Sequence, residues 1–231
     1  MISSSSLWPV WVVGLRSPQF LLLIVIFGAI MTLVYLNATL SLDYSINASL
    51  DRVNLNGNIL YVLVLFASFG EIIHLIFASI ILTIIKRTRK TGMILMITII
   101  MIAIIITYLK PIIAHTKPIQ SAKLSSLPKG FNLESDSMTP SARDFSYPSN
   151  HVACITAFSY LIGYSLSRGL RNAKHLIWLL PFSIGLSQLI LRQYYFSDMI
   201  GGLFFGLIFA ILMSNILHIE IPFSRDRFKI N

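Results

Sequence analysis

Long apolar runs dominate this chain and limit what it can fold into. Six of them can be read, at about 19–36, 59–85, 93–109, 149–166, 176–191 and 199–217. Each approaches or exceeds the ~20 residues that a helix needs to cross a bilayer at ~1.5 Å per residue. Because lipid cannot hydrogen-bond to the backbone, helices are the expected structure. The sequence therefore predicts an all-α integral membrane protein with six transmembrane helices.

The composition excludes the soluble alternatives. Of the 231 residues, 55% are hydrophobic and 12% are charged, and the mean hydropathy is +0.77, outside the range of soluble domains. The net charge of +9 arises from basic residues beside the apolar runs, which suits lipid headgroups rather than nucleic acid. The single cysteine, Cys154, offers neither a disulfide framework nor a cysteine metal site.

Three regions follow from the apolar pattern. Residues 1–57 hold an N-terminal segment, the first span and a polar loop, residues 58–217 form the main membrane domain, and residues 218–231 form a basic tail. A signal peptide is the alternative interpretation of the first span. No convincing small-residue cleavage site follows it, so we expect a retained anchor.

The distribution of lysine and arginine predicts the orientation. Basic clusters lie at 86–90, 168–174 and 225–229. The positive-inside rule assigns them to the cytoplasm, together with both termini. The connections that face the other side are 37–57, 110–148 and 192–198. The Ile- and Leu-rich spans suit a bacterial inner membrane, so the polar connections would face the periplasm.

These outward-facing connections hold most of the polar chemistry. Lys110 and Lys117 are seven residues apart and can reach one multiply charged anion, although isolated lysines at a bilayer surface more often extend to the headgroups without a ligand. Pro148 and Ser149 are residues typical of a helix start. Such a start can bind an anion beside His151, or it can be an ordinary cap next to an interfacial histidine.

The third polar segment leads into the last span. Asp198 lies where that helix begins, a position that favours a carboxylate whether or not it has a function. Gly201 and Gly202 follow and would allow close helix packing.

In order and spacing, these segments resemble the type 2 phosphatidic acid phosphatase family, which is related to the vanadium-dependent haloperoxidases. The family pattern is Lys, six residues, Arg-Pro; then Pro-Ser-Gly-His; then Ser-Arg, five residues, His, three residues, Asp. The chain has Lys110, six residues, Lys117-Pro118; Pro148-Ser149-Asn150-His151; and Ser187-Gln188, five residues, Tyr194, three residues, Asp198. The resemblance covers residues 58–217 and implies a phosphatase-like helical bundle.

The resemblance also implies a site that needs no metal or cofactor, because cationic side chains bind the phosphate of a membrane lipid. It assigns phosphate binding to Lys110, Lys117, Ser149 and Asn150, and catalysis to His151, Tyr194 and Asp198. His151 would protonate the leaving oxygen, and Asp198 would orient the residue at position 194.

Four positions depart from the family pattern. Lys117 replaces an arginine and loses its bidentate fork, and Asn150 replaces a glycine that lets the backbone approach closely. Gln188 replaces the second arginine. Arg192 lies four residues later on the same predicted helix face and is therefore a candidate for phosphate binding. Tyr194 replaces the nucleophilic histidine.

The tyrosine is the hardest departure to reconcile with catalysis. A phenol has a pKa near ~10 and needs a strong base or a positive field before it attacks phosphorus. The nearby cations would supply such a field, whereas Asp198 would oppose ionisation. His151 and His115 are the alternative nucleophiles, and the plainer interpretation of His115 is a solvated loop residue.

Two further features lie outside the motifs. Glu71 and His74 are three residues apart within the second predicted span, and they indicate either a functional pair or a hydrogen-bonded pair that faces the bundle interior. The connection 119–147 is long for a structureless loop, and its basic and aromatic residues suit a lid over a lipid headgroup.

Three functions are therefore open. The first is a lipid phosphatase or phosphotransferase that acts on a phosphorylated lipid. The second is a catalytically inactive member that binds lipid phosphates or serves as a subunit beside a membrane-protein partner. The third is a transport module that uses Glu71 and His74.

Overall fold

The computed structural model describes residues 13–52, 56–118, 140–165 and 173–217. These residues form α-helices and no strands, in agreement with the predicted all-α fold, and a short 3₁₀ helix spans Pro140–Ala142. The α-helices are α1 Pro18–Tyr35, α2 Leu40–Asp51, α3 Gly57–Phe69, α4 Ile72–Ile84, α5 Arg89–Ile113, α6 Asn150–Ser165, α7 Ala173–Leu176, α8 Leu179–Ile190 and α9 Phe196–Ile216.

Three of the described helices, α1, α5 and α9, are long and apolar enough to cross a membrane. Together, α3 and α4 would form a fourth, bent span. The other predicted spans correspond to α6 and to α7 with α8, which are shorter helices. The described residues thus contain three or four candidate spans, and a count of six stays a prediction.

The predicted second span is broken rather than continuous. Its two halves, α3 and α4, meet at 56°, because Gly70 has a low helix propensity and Glu71 is extended, with ψ 142°. A Cβ atom at Gly70 would lie 2.7 Å from Cγ2 of Ile184 and 3.2 Å from Cδ2 of His151. The break therefore brings the backbone of Gly70, which has no side chain, against the ring of His151.

The Glu71–His74 pair forms, but it does not face the bundle interior. Nδ1 of His74 lies 3.5 Å from Oε2 of Glu71, and the side chains are 53% and 27% exposed respectively. Because α4 takes a new direction after the break, its buried residues are Leu75 and Ser79. The prediction of an interior pair is therefore wrong.

The predicted polar loop at 37–57 contains a helix, α2. Its inward face is polar, since Asp43 and Asn47 are buried one turn apart. Its outward face carries Leu42 and Tyr44, which are 52% and 56% exposed. A polar inward face is typical of a loop by composition, but here Asp43 accepts hydrogen bonds from Ser197 in the first turn of α9. The backbone carbonyl of Asn47 accepts from Arg192 in the segment before α9.

The core of the bundle depends on close contact between α6 and α9. A Cβ atom on Gly202 would lie 2.5 Å from the carbonyl oxygen of Ser149, and one on Gly206 would collide with the carbonyl oxygen of Ala153. A Cβ atom on Gly201 would meet the ring of Tyr147. The prediction of close packing at Gly201 and Gly202 is confirmed.

Several sequence predictions lie outside the described residues. They are the segment before residue 13, most of the predicted lid at 119–139, most of the basic cluster at 168–174, and the basic tail at 218–231.

We predict that Gly206→Ala destabilises the bundle by about 1–3 kcal/mol, because the added methyl group must separate α6 from α9. Gly28→Ala is the matched control, since a Cβ atom there meets nothing within 4 Å and alanine is the better helix former. Thermal unfolding in detergent, followed by circular dichroism, measures both. Equal midpoints for Gly206→Ala and the unmodified protein would contradict the packing argument.

Candidate active site

The three motif segments meet at one end of the bundle. The backbone N–H of Ser146 donates to the carbonyl of His115 over 2.7 Å, which joins the first segment to the second. The backbone N–H of Ser149 donates to the carbonyl of Asp198 over 3.0 Å, which joins the second to the third. Their predicted placement on a common side agrees with these contacts.

The second motif starts α6 in the way the sequence predicts. The Oγ atom of Ser149 accepts a hydrogen bond from the backbone N–H of Val152 over 3.4 Å, which is the geometry of a helix cap. Asn150 is buried, and its Oδ1 atom accepts from Sγ of Cys154, one turn along α6. This hydrogen bond directs the asparagine side chain along the helix.

The structure brings Lys110, His151 and Tyr194 together. Tyr194 is only 2% exposed, and its ring centroid lies 6.2 Å from that of His151. Nζ of Lys110 lies 5.5 Å from the same tyrosine centroid, within the range of a cation–π contact. Lys110 reaches this position from the last turn of α5, where a cation also complements the helix dipole.

Asp198 binds a different residue from the one expected. Its Oδ1 atom lies 2.9 Å from Nδ1 of His115, and its Oδ2 atom accepts from the backbone N–H of Tyr195 over 2.7 Å. Asp198 is the third residue of α9, so its side chain turns back over the helix start as part of a capping box. The sequence predicted that Asp198 orients Tyr194, whereas both of its oxygens have partners at His115 and Tyr195.

His115 is a buried site residue, so its interpretation as a solvated loop residue is wrong. It is 3% exposed, and the left-handed turn at Ala114, with φ 55°, directs the chain toward α9. Oγ of Ser146 lies 3.1 Å from its Nδ1 atom. Its Nε2 atom is buried and has no hydrogen-bond partner within the described part of the chain.

Charge and burial act in opposite directions on His115. Burial lowers the pKa of the imidazole, but the hydrogen bond to Asp198 and the negative charges of Asp198 and Asp43 outweigh it. The pKa of His115 is therefore raised above 6.5. The pKa of the neighbouring Tyr195 phenol is raised as well, first by burial and then by its hydrogen bond to Tyr44, so Tyr195 stays neutral.

Asp43 anchors α2 to the site. This fully buried residue accepts from the backbone N–H of Ser197 over 3.0 Å and from its Oγ over 2.7 Å. It thereby satisfies one of the unpaired N–H groups at the start of α9. No motif in the sequence separates Asp43 from other polar residues of its segment, and sequence reasoning therefore missed it.

Arg192 does not share a helix face with Gln188. The helix α8 ends at Ile190, and Arg192 has a left-handed backbone with φ 55°. Its Nη2 atom donates to the carbonyl of Asn47 over 3.0 Å. The helix-face argument for Arg192 is therefore wrong, while its part in phosphate binding stays a prediction.

Lys117 and Gln188 are the two remaining motif positions. Lys117 is half-buried, its backbone N–H donates to the carbonyl of Asp144 over 3.1 Å, and its phosphate-binding role also stays a prediction. Gln188 is buried, and its Oε1 atom has no hydrogen-bond partner among the residues that the structure describes. In the same residues, no three His, Cys, Asp or Glu side chains are grouped to hold a metal ion.

Comparisons with known proteins agree with this geometry. A sequence model of the PAP2 superfamily matches residues 91–221, more than half of the chain. The fold is similar to the crystal structure of "the first transmembrane PAP2 type phosphatidylglycerolphosphate phosphatase from Bacillus subtilis", with a TM-score of 0.67 and 16% identity. That likeness covers 87% of this chain and 96% of the other, and at this identity it shows the fold. No curated protein sequence matches the chain.

We predict that the His115 imidazole titrates with a midpoint above 6.5, and that Asp198→Asn lowers this midpoint by removing a negative charge and its strong hydrogen bond. The shift stabilises the fold fully below pH 6.5, and this contribution is lost as the pH rises through the folded-state pKa. NMR titration of histidine-labelled protein in detergent measures it. Asp144→Asn, at an exposed carboxylate, is the control, and an equal effect of the two substitutions would refute the assignment.

Proposed function

This chain belongs to the PAP2 superfamily, and from that premise we propose that it is a membrane lipid phosphatase or phosphotransferase. Its substrate would be a lipid with a phosphate or diphosphate headgroup. The similar Bacillus protein is described as a phosphatidylglycerolphosphate phosphatase, and a phospholipid with a terminal phosphate is a substrate of this kind.

One observation carries the proposal: Lys110 and His151 face the same ring, that of Tyr194, at the point where all three motif segments meet. These residues come from α5, α6 and the segment before α9. A buried cation next to a histidine at a helix start is suited to an anion that must also receive a proton.

The proposed chemistry divides the work among these groups. Lys110 and the start of α6, at Ser149 and Asn150, hold the phosphate, and Lys117 and Arg192 add positive charge at the same end of the bundle. His151 donates a proton to the oxygen that leaves with the lipid. No step requires a metal, because cationic side chains and the helix dipole offset the negative charge.

We propose that the site faces away from the cytoplasm. Lys110 lies near the end of α5, whereas the basic cluster at 86–90 adjoins its start, about 30 Å away at ~1.5 Å per residue. The positive-inside rule places that cluster in the cytoplasm. The site would then open to the periplasmic face of a bacterial inner membrane.

An inactive lipid-phosphate-binding protein is the second candidate. The observation that favours it is the buried phenol of Tyr194 at the position where the family has a nucleophilic histidine, with Lys110 held over its ring. Such a site would still bind a phosphate headgroup, either alone or as part of a membrane complex.

Phosphate release from defined lipids separates the two candidates. The purified protein is assayed in micelles with phosphatidic acid, phosphatidylglycerolphosphate and an isoprenyl diphosphate. We expect release from at least one of them, and a loss of about 10²–10⁴-fold in His151→Ala because the leaving oxygen loses its proton donor. His175→Ala, at an exposed residue of α7, should leave the rate unchanged.

Tyr194→Phe tests the phenol separately, since it keeps the ring that Lys110 and His151 face. An unchanged rate would remove the hydroxyl group from the chemistry, whereas a loss as large as that of His151→Ala would assign it a direct role. Headgroup binding without release from any lipid would favour the inactive protein.

A further inference from the structure

We propose that His115 is the nucleophile of this site, and that its Nε2 atom attacks the phosphorus of the lipid phosphate. The inference rests on the proposed phosphatase function. It moves the reactive imidazole from position 194, where the family resemblance places it, to the segment that follows α5. His115 lies in the six-residue gap of the first motif, between Lys110 and Lys117, where the family pattern fixes no residue, so the resemblance assigns it no role.

The first support is the pairing of His115 with the motif aspartate. Nδ1 of His115 lies 2.9 Å from Oδ1 of Asp198, while the other carboxylate oxygen is fixed by the backbone N–H of Tyr195. An Nδ1–H that donates to a buried carboxylate sets both the orientation of the ring and its tautomer. When the imidazole is neutral, the free electron pair is then on Nε2.

The second support is the state of Nε2 itself. This atom is buried and has no hydrogen-bond partner in the described part of the chain, whereas the Nδ1 side of the ring is close to both Asp198 and Ser146. A buried polar atom without a partner needs a physical explanation. An electron pair that is reserved for phosphorus supplies one.

The third support is position. His115 is five residues beyond Lys110 on the same segment, and its carbonyl accepts from Ser146, three residues before the α6 cap at Ser149. Its side chain contacts Asp198, whose carbonyl in turn accepts from Ser149. His115 is thus joined by hydrogen bonds to the segment that leads into α6, where Ser149 and His151 lie, and to Asp198 at the start of α9.

The reaction then balances in two steps. In the first, the electron pair of Nε2 forms a bond to phosphorus, the bond from phosphorus to the lipid oxygen breaks, and His151 gives that oxygen a proton to release the lipid alcohol. In the second, a water oxygen attacks phosphorus, the phosphorus–nitrogen bond breaks, and the neutral His151 accepts a proton from the water. Inorganic phosphate leaves, and both histidines return to their starting states.

The first test substitutes asparagine for the histidine. The side-chain amide of His115→Asn occupies the place of Nδ1–H and still donates to Asp198, but it lacks Nε2. We expect this variant to remain folded, to bind phosphatidic acid micelles, and to lose more than about 10³-fold in the rate of phosphate release. His175→Asn is the matched control and should keep the full rate.

The second test identifies the attacked atom in the unmodified protein and therefore does not depend on the folding of a variant. The protein is quenched during turnover of labelled phosphatidic acid, phosphatidylglycerolphosphate or isoprenyl diphosphate, whichever it hydrolyses. The phosphorylated peptide is then mapped. We expect an acid-labile phosphoryl group on His115. An acid-stable group on Tyr194, or an acid-labile group on His151, would overturn the proposal.

The outcomes separate this inference from the proposed function. Continued phosphate release by folded His115→Asn would overturn the role of His115 and leave the phosphatase function intact. An unmodified protein that binds these lipids but releases no phosphate would overturn both.

Discussion

The site depends on how closely α6 and α9 approach each other. Gly202 and Gly206 let the backbones of the two helices touch along the first turns of α6. The contact is completed by the hydrogen bond from the backbone N–H of Ser149 to the carbonyl of Asp198. Two helix N-termini are thereby placed side by side, so their partial positive charges are directed at one small region. Any increase in the separation would move His151 away from Asp198.

The two helix starts are used differently. At the start of α9, the buried carboxylates of Asp43 and Asp198 accept from backbone N–H groups. Two buried carboxylates repel each other in a low-dielectric environment, and His115 offsets this because its pKa is raised by both of them. At the start of α6, the neighbouring charged group is the cation of Lys110, across the ring of Tyr194. In one half of the site the negative charge is therefore partly neutralised within the protein, and the other half is suited to an external anion.

The sequence predicted those features that depend on residues close to one another along the chain. Apolar runs predicted α1, α5, α6 and α9 to within a few residues, and the helix-start residues predicted the cap at Ser149. Features that depend on contacts between distant parts of the sequence could not be predicted. Asp43 and Asn47 look like loop residues until the contacts of Asp43 with Ser197 and of the Asn47 carbonyl with Arg192 are known. The break at Gly70 is hidden because Gly70 and Glu71 lie between two apolar runs that together have the length of one span.

His115 shows the same limit within the site. Nothing next to it in sequence distinguishes it from a solvated histidine, because its partner Asp198 is 83 residues away. The motif spacing identified Asp198 as a site residue but paired it with position 194. Spacing along the sequence identifies the helix that carries the aspartate. It does not identify the residues that approach the aspartate from other parts of the bundle.

The burial of Asp198 limits how the tyrosine at position 194 can be interpreted. A buried carboxylate that loses its only cationic partner is strongly destabilising, so Asp198 would be difficult to retain if the site had lost its imidazole altogether. His115 provides that partner, which accounts for the stability of Asp198. It does not account for the burial of Nε2 without a hydrogen-bond partner among the residues that the structure describes. A purely structural cation would be better served by an arginine, whose several donors could satisfy the carboxylate. An imidazole whose Nδ1 pairs with a carboxylate, and whose Nε2 has no partner within the described ranges, is the arrangement that a nucleophile requires.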